Sequence, residues 1–179
     1  MKKFLHLTIF ILSILSLTFA QETYDFRKVT WGMTKADVLK AEKKTPIFED
    51  ENDLIFEETL LNRNFSCLYV FQEDKLYSAG YILTDKYEDY SDYVDLYIEL
   101  KDLLSEKYGK PIISKDPEIF PIGNFNYSTS WFTPRSVIML SLSRKSGEYT
   151  LMIAYIDVNF VKKEIDKSSE EKNKDKTKL

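Results

Sequence analysis

FSCLYVFQEDKLYSAGYIL, residues 65–83, decides the fold of this chain. It consists of two runs rich in aromatic and β-branched residues, separated by the acidic dipeptide Glu73-Asp74. This pattern predicts two antiparallel strands, Phe65 to Gln72 and Lys75 to Leu83, joined by a tight turn. A similar run, Leu54 to Leu60, precedes them, so we expect a three-stranded meander.

Alternation along these strands sorts their side chains onto two faces of the sheet. One face is expected to carry apolar and small residues, on which helices can lie closely: Leu68, Val70, Leu76, Ser78, Gly80 and Ile82. The other is expected to be aromatic and to include two residues from the second half of the chain: Tyr69, Phe71, Tyr77, Tyr81, Trp131 and Tyr155. A two-layer fold leaves this aromatic face uncovered, and such a surface is typical of an anchor for protein partners.

Other outcomes for the aromatic face remain open. It could be covered by residues 21–30, by residues 112–125, or by a second copy of the chain in a homodimer. A slip of one residue in the strand register would also exchange the two faces.

Two amphipathic helices are predicted on either side of the meander. The first begins at Thr34, because Thr34 and Asp37 have the spacing of a capping box, and it ends at Thr45-Pro46. Gly32 permits a tight approach of the chain into that cap. The second helix is long and stops at Gly109. Its apolar face repeats every three or four residues and comprises Tyr90, Tyr93, Val94, Tyr97, Leu100, Leu104 and Tyr108.

Three further strands follow the long helix: Tyr127 to Thr133, Ser136 to Ser143 and Glu148 to Val158. The resulting order is helix-βββ-helix-βββ. It predicts an α+β protein, a two-layer sandwich in which an antiparallel sheet of about six strands carries two helices on one face.

The two ends of the chain differ from its middle. Residues 1–20 combine a basic start, an apolar run and the small-residue site Thr18-Phe19-Ala20, which is the pattern of a cleaved signal peptide. An uncleaved anchor is the alternative, but the apolar run is shorter than the roughly 20 residues that span a bilayer.

Residues 162–179 have seven Lys, five acids and no apolar period, so we expect a disordered tail. Residues 21–161 then form a single domain, exported to the periplasm or outside the cell, with no membrane span.

The predicted exported chain lacks most of the side chains that enzymes commonly use for catalysis. The sole histidine, His6, lies in the signal segment, and Cys67 is the sole cysteine. Imidazole catalysis, a zinc site and an intramolecular disulfide are therefore excluded. We expect no enzyme activity and no cofactor. The alternative is a histidine-independent carboxylate hydrolase that acts on envelope glycan or peptide through acids between Glu49 and Glu58.

The charge of the predicted domain limits the classes of ligand that it could bind. Residues 21–161 carry 24 acidic and 16 basic side chains, a net charge of −8, which argues against nucleic acid because phosphate binding needs a basic stripe. Acids also gather near the start of the long helix: Asp85, Glu88, Asp89, Asp92 and Asp95. Oxygen ligands suit calcium, but the helix dipole favours carboxylates at this position in any case, so we predict no metal site.

Two short motifs resemble known exported bacterial proteins. Gly32-Met33-Thr34-Lys35-Ala36-Asp37-Val38 resembles the helix start of the small outer-membrane assembly lipoproteins and of the related β-lactamase-inhibitor-like fold. Leu104-Ser105-Glu106-Lys107-Tyr108-Gly109-Lys110-Pro111, followed by Trp131, resembles a pattern found in many uncharacterised exported proteins. The resemblance implies a non-enzymatic module that binds another protein, often through a sheet surface.

The chain also departs from those lipoproteins. It has no Cys after the apolar run, and Leu39-Lys40-Ala41-Glu42 replaces their small-residue turn, so a place in the barrel-assembly machinery does not carry over. We therefore predict a protein-binding module of the bacterial cell envelope, with an envelope or secreted protein or peptide bound at the aromatic face.

Overall fold

The computed structural model describes residues 24–119 and 121–176. The predicted signal peptide, residues 1–20, and its cleavage site lie outside these described residues. Across the described ranges, no helix is both long enough and apolar enough to span a membrane.

The described chain forms three helices and one eight-stranded sheet. The helices are α1 (Lys35–Glu42), α2 (Tyr90–Tyr108) and α3 (Val158–Lys176). The strands are β1 (Phe48–Glu49), β2 (Asp53–Leu60), β3 (Arg63–Gln72), β4 (Lys75–Leu83), β5 (Ile113–Lys115), β6 (Phe125–Phe132), β7 (Ser136–Lys145) and β8 (Glu148–Asp157). Their order in the sheet is β1-β2-β3-β4-β8-β7-β6-β5, and every neighbouring pair is antiparallel.

An α+β fold with an antiparallel sheet is therefore confirmed, but the predicted sandwich of six strands and two helices is wrong. The two additional strands, β1 and β5, are the edges of the sheet and have only two and three residues. Strands this short show no period of their own and form because β2 and β6 offer them unpaired backbone groups. The third helix, α3, is the other departure from the predicted order.

Helix α3 occupies most of the tail for which we predicted disorder. The described part of that tail, residues 162–176, is helical. Opposite charges recur three and four residues apart, as at Lys162 and Asp166 or Glu170 and Lys174, and such spacing favours a helix. The first turn is also attached to the body, because the rings of Tyr77 and Phe160 stack with centroids 3.9 Å apart. The side chains from Lys162 to Glu171 are exposed.

The start of α1 is formed as predicted. Thr34 is the N-cap, and the reciprocal bonds of a capping box join it to Asp37. Gly32 has a φ of +85°, which allows its N–H to reach the carbonyl of Leu76 at 2.8 Å. The helix ends earlier than expected, because Lys43 takes the left-handed conformation after Glu42. Helix α2 matches its predicted bounds.

The assignment of sheet faces was inverted. Helices α1 and α2 lie on the face that carries Tyr69 and Trp131, which are fully buried there. Large aromatic side chains bury the most apolar area, so they form the core rather than an exposed surface. The strand alternation itself also breaks: β3 and β4 shift register between Val70 and Phe71, so that Leu76 pairs with Phe71 while Ser78 pairs with Val70. The shift moves Leu76 into the core and Tyr77 to the opposite side.

The backbones of β4 and β8 approach each other closely at Gly80. It pairs with Ala154 where β4 meets β8, the strand that joins the two halves of the sheet. A Cβ at position 80 would collide with the backbone carbonyl oxygen of Ile153. Glycine is therefore required for this pairing.

Candidate functional site

The six residues predicted to form a binding face do not form an exposed surface. Tyr69, Phe71, Trp131 and Tyr155 are buried on the helix-covered face, and Tyr81 packs partly buried against the same core. Tyr77 alone lies on the opposite side of the sheet. The first four residues are in the core because the helices cover the aromatic face of the sheet and not the opposite one.

The N-terminal segment covers the aromatic residues, which is one of the alternatives left open by the sequence. Phe26 is buried, and its ring lies against three of the predicted binding residues: its centroid is 5.6 Å from Tyr69, 5.1 Å from Tyr81 and 5.0 Å from Tyr155. Tyr69 and Tyr155 are thus buried and Tyr81 is partly buried around Phe26, so the three do not form an exposed binding surface.

A buried charge network holds this segment in place. Arg27, with a φ of +50°, directs its guanidinium to both oxygens of Glu42, at 3.0 and 3.2 Å, and to Glu58 at 2.5 Å. The Glu42 side chain is only 3% exposed and also accepts a hydrogen bond from the Tyr69 hydroxyl. Lys44 adds a second contact to Glu58 at 3.2 Å. Every charge in the network therefore has a partner, as burial requires.

The network bears on whether the acids of β2 could act as a catalytic pair of carboxylates. Burial alone would raise the pKa of Glu58, but the hydrogen bonds and charges of Arg27 and Lys44 outweigh it and lower the pKa. Burial and nearby Asp50 raise the pKa of Asp53. A glycosidase needs such a divergent pair within about 5 to 9.5 Å. Asp53 and Glu58 lie on opposite faces of β2, about 17 Å apart at 3.3 Å per residue, so they cannot act on one bond.

Cys67 has no apparent role in chemistry. It is buried on the helix-covered face, and burial raises the pKa of its thiol to about 12. A neutral thiol in this position behaves as a small apolar side chain.

The acids near the start of α2 are dispersed rather than gathered around a centre. Asp85 accepts two hydrogen bonds from Asn64, each of 2.9 Å. Asp89 is the N-cap residue of α2, and Asp92 lies in the first turn. Among the described residues, no group of three or more potential ligands is placed to hold a metal ion.

The outer face is the side of the sheet opposite α1 and α2, and its middle row is largely apolar. A cross-strand row of paired residues runs over all eight strands along it: Phe48, Ile55, Leu68, Gly80, Ala154, Met139, Ser130 and Ile113. The apolar residues of the two flanking rows are Val70, Ile156, Val137 and Phe132 on one side, and Ile82 and Met152 on the other. Most of these side chains are half-buried by their neighbours alone.

Helix α3 forms a wall beside the outer face. It continues directly from β8, and a cavity of about 490 Å³ opens between Ile156 of that strand and the inner side of the helix. Phe160, Val161 and Ile165 line the helical wall, followed by Ser168 and Ser169 one turn further. The outer face and α3 together therefore make an open cleft, whose helical wall is apolar at Phe160, Val161 and Ile165 and polar at Glu164, Ser168 and Ser169.

The sequence contains a pattern that indicates the outer face, although the prediction from alternating residues did not use it. Leu151 to Ile156 in β8 is a run without a polar side chain other than the Tyr155 hydroxyl, and Val137 to Leu140 in β7 is wholly apolar. A near-continuous apolar run indicates a strand with two apolar faces. No comparable signal exists for Arg27, whose role depends on contacts with residues distant in the chain.

Comparison of the chain with protein-family models, with curated proteins and with solved structures finds no match.

Proposed function

We propose that this chain is a non-enzymatic, exported protein-binding module of the bacterial cell envelope, which binds its partner through the outer face. The observation that supports this proposal is that the middle of the outer face is apolar, although α1 and α2 cover only the opposite face of the sheet. An antiparallel sheet with a solvated face alternates apolar and polar residues. A continuous apolar surface rimmed by polar residues is typical of a protein-interaction site.

The shape of the outer face favours a partner with a protruding apolar ridge. Its centre is made of small residues, Ser78, Gly80 and Ala154, while Leu68 and Met152 stand beside them. Small residues at the centre give a shallow trough into which the apolar side of a helix or loop fits. Methionine side chains at the margin adapt to the shape of the partner.

The motif resemblance supports the same class of function, because it implies a module that binds protein through a sheet surface. The carboxylate hydrolase is the weaker alternative, since the acids with divergent pKa values lie on opposite faces of β2. The partner is a protein or peptide of the envelope or of the secreted fraction.

The experiment is in-cell crosslinking of two outer-face variants, Leu68→Glu and Met152→Glu, followed by identification of the captured protein. Each variant places a charge within the apolar contact, so capture should fall by about tenfold or more. The matched control is Leu103→Glu, which introduces the same charge at an apolar residue of α2 that is already 45% exposed. Circular dichroism establishes that all three variants are folded.

Unchanged capture by folded Leu68→Glu and Met152→Glu proteins would contradict the proposal. If the only captured partner is a second copy of the chain, the outer face is a dimer interface instead. If the purified protein hydrolyses envelope glycan or peptide, the carboxylate hydrolase becomes the leading account.

A further inference from the structure

A second recess lies away from the outer face, where the exposed side of α2 meets residues 116–119. Its volume is about 560 Å³. Tyr90, Val94 and Ile98 of α2 form one wall, and Pro117 and Ile119 form the other. We refer to this recess as the α2 groove.

Two contacts connect α2 to the segment that forms the other wall of the α2 groove. The Tyr90 hydroxyl donates to the backbone carbonyl of Glu118 at 3.1 Å, and the Tyr90 ring lies 5.6 Å from the ring of Phe125. Just before the groove segment, Lys101 of α2 contacts Asp116 at 2.5 Å.

Tyr90 and Val94 also pack against the core, but the core does not explain the two isoleucines of the groove. Ile98 is 48% exposed on the solvent side of α2, and Ile119 is 81% exposed. Exposed isoleucines that converge on one recess lose their contact with water only when a ligand fills it. The groove thus offers an apolar side chain a place to insert.

The rim of the groove is acidic. Asp89, Asp95 and Glu118 line it, and no Lys or Arg belongs to the lining. None of the three carboxylates forms an ion pair with a side chain of residues 24–119 or 121–171.

Helix stabilisation does not account for these acids. Asp89 is the N-cap residue of α2, yet its side chain makes no capping hydrogen bond. The dipole favours carboxylates only within the first turn, while Asp95 lies beyond that turn and Glu118 belongs to no helix. Their common feature is their position around the groove.

We propose that the α2 groove binds a basic, amphipathic peptide segment of another protein. A Leu, Ile or Phe side chain of that segment inserts between Ile98 and Ile119, and its Lys or Arg side chains pair with Asp95 and Glu118. The site is separate from the outer face and does not depend on the function proposed for that face.

Fluorescence anisotropy of the purified protein with two labelled peptides tests this proposal. Each is an amphipathic helix of about 14 residues, one made of Leu and Lys and the other of Leu and Glu. The Leu–Lys peptide should bind and the Leu–Glu peptide should not. Binding should weaken between about 50 mM and about 300 mM salt, because the rim charges are exposed to screening.

Matched variants distinguish binding in the α2 groove from nonspecific attraction of the peptide to an acidic protein. Ile98→Ser with Ile119→Ser should weaken binding of the Leu–Lys peptide about tenfold, whereas Ile47→Ser, at an isoleucine 58% exposed elsewhere, should not. Asp95→Asn with Glu118→Gln should weaken binding and flatten its salt dependence. Asp102→Asn with Glu106→Gln removes two exposed charges from α2 outside the groove and serves as the control.

Three outcomes would overturn the proposal. The first is no binding of the Leu–Lys peptide, and the second is equal binding of both peptides. The third is an affinity that falls by the same factor in the Asp95/Glu118 variant and in the Asp102/Glu106 control, which would show nonspecific attraction to an acidic surface. Loss of partner capture by Leu68→Glu is a separate result and tests the outer face alone.

Discussion

Tyr77 and Phe160 stack face to face, with ring centroids 3.9 Å apart and an interplanar angle of 21°. Tyr77 lies on the outer face at the bulged end of β4, and Phe160 lies in the first turns of α3. This contact ties the start of α3 to the sheet, while the exposed side chains from Lys162 to Glu171 leave that part of the helix beside the outer face. The apolar outer face is therefore accessible in the described part of the chain.

Arg27→Ala should destabilise the protein strongly. The substitution leaves the Glu42 carboxylate, which is 3% exposed, without its bidentate partner, and an uncompensated buried charge costs about 3 kcal/mol or more. Urea unfolding measures the loss. The control is Arg63→Ala, which breaks a 3.4 Å pair with Glu99 that is substantially exposed and should cost less than about 1 kcal/mol. Equal losses in the two variants would show that the Arg27 network contributes little to stability.

The same network predicts how stability depends on pH. The folded protein lowers the pKa of Glu58 below its ordinary value of 4.5, so the unfolded chain binds its proton more readily. The contribution of Glu58 is complete above pH 4.5 and is lost as the pH falls through the lower, folded pKa.

Urea midpoints between about pH 3 and about pH 6 measure this dependence. Glu58→Gln should flatten the acid-side decline, and Glu57→Gln, one residue away on the opposite face of β2, should preserve it. An identical acid-side slope in wild type and Glu58→Gln would rule out this role for Glu58.

Gly80→Ala should disrupt the pairing of β4 with β8. The new methyl group would meet the backbone carbonyl of Ile153, which cannot move without breaking the strand pairing. Overpacking of this kind costs about 1 to 3 kcal/mol. Urea unfolding is the measurement, and Ser78→Ala, two residues earlier on the same face, is the control. A Gly80→Ala protein as stable as wild type would mean that β4 and β8 are further apart than described.

Cys67 should not react with thiol reagents in the folded protein. Burial raises its pKa to about 12, so almost no thiolate is present at pH 8, and the side chain is inaccessible as well. Labelling with a disulfide reagent at pH 8 should be slow in buffer and rapid in denaturing urea. Rapid labelling in buffer would show that this part of the helix-covered face opens.

Local signals in the sequence predicted α1 and α2 best. The capping box at Thr34 and the apolar period of α2 up to Gly109 act within a few residues, so they can be read without knowing the rest of the fold. The faces of the sheet could not be assigned in this way. A register shift at Val70 and Phe71 depends on pairing between strands, and it places Leu76 and Tyr77 on the opposite sides from strict alternation.

The candidate site was harder to predict than the fold. Four of the six aromatic residues chosen from the sequence are buried, because they lie on the helix-covered face of the sheet, where Phe26 also packs against Tyr69 and Tyr155. The short edge strands likewise depend on their neighbours rather than on a pattern of their own. The apolar runs of β7 and β8 were visible in the sequence and indicate the outer face.

Site-specific photo-crosslinking in living cells tests the central claim, that the outer face is a binding surface, most directly. A photo-reactive phenylalanine analogue replaces Met139, which lies in the middle row of the outer face, or Leu103, which lies on the exposed side of α2. We predict a discrete crosslinked product between position 139 and a different protein of the envelope, with no such product from position 103. Folded protein that yields no product at position 139, or yields the same product at both positions, would contradict the claim.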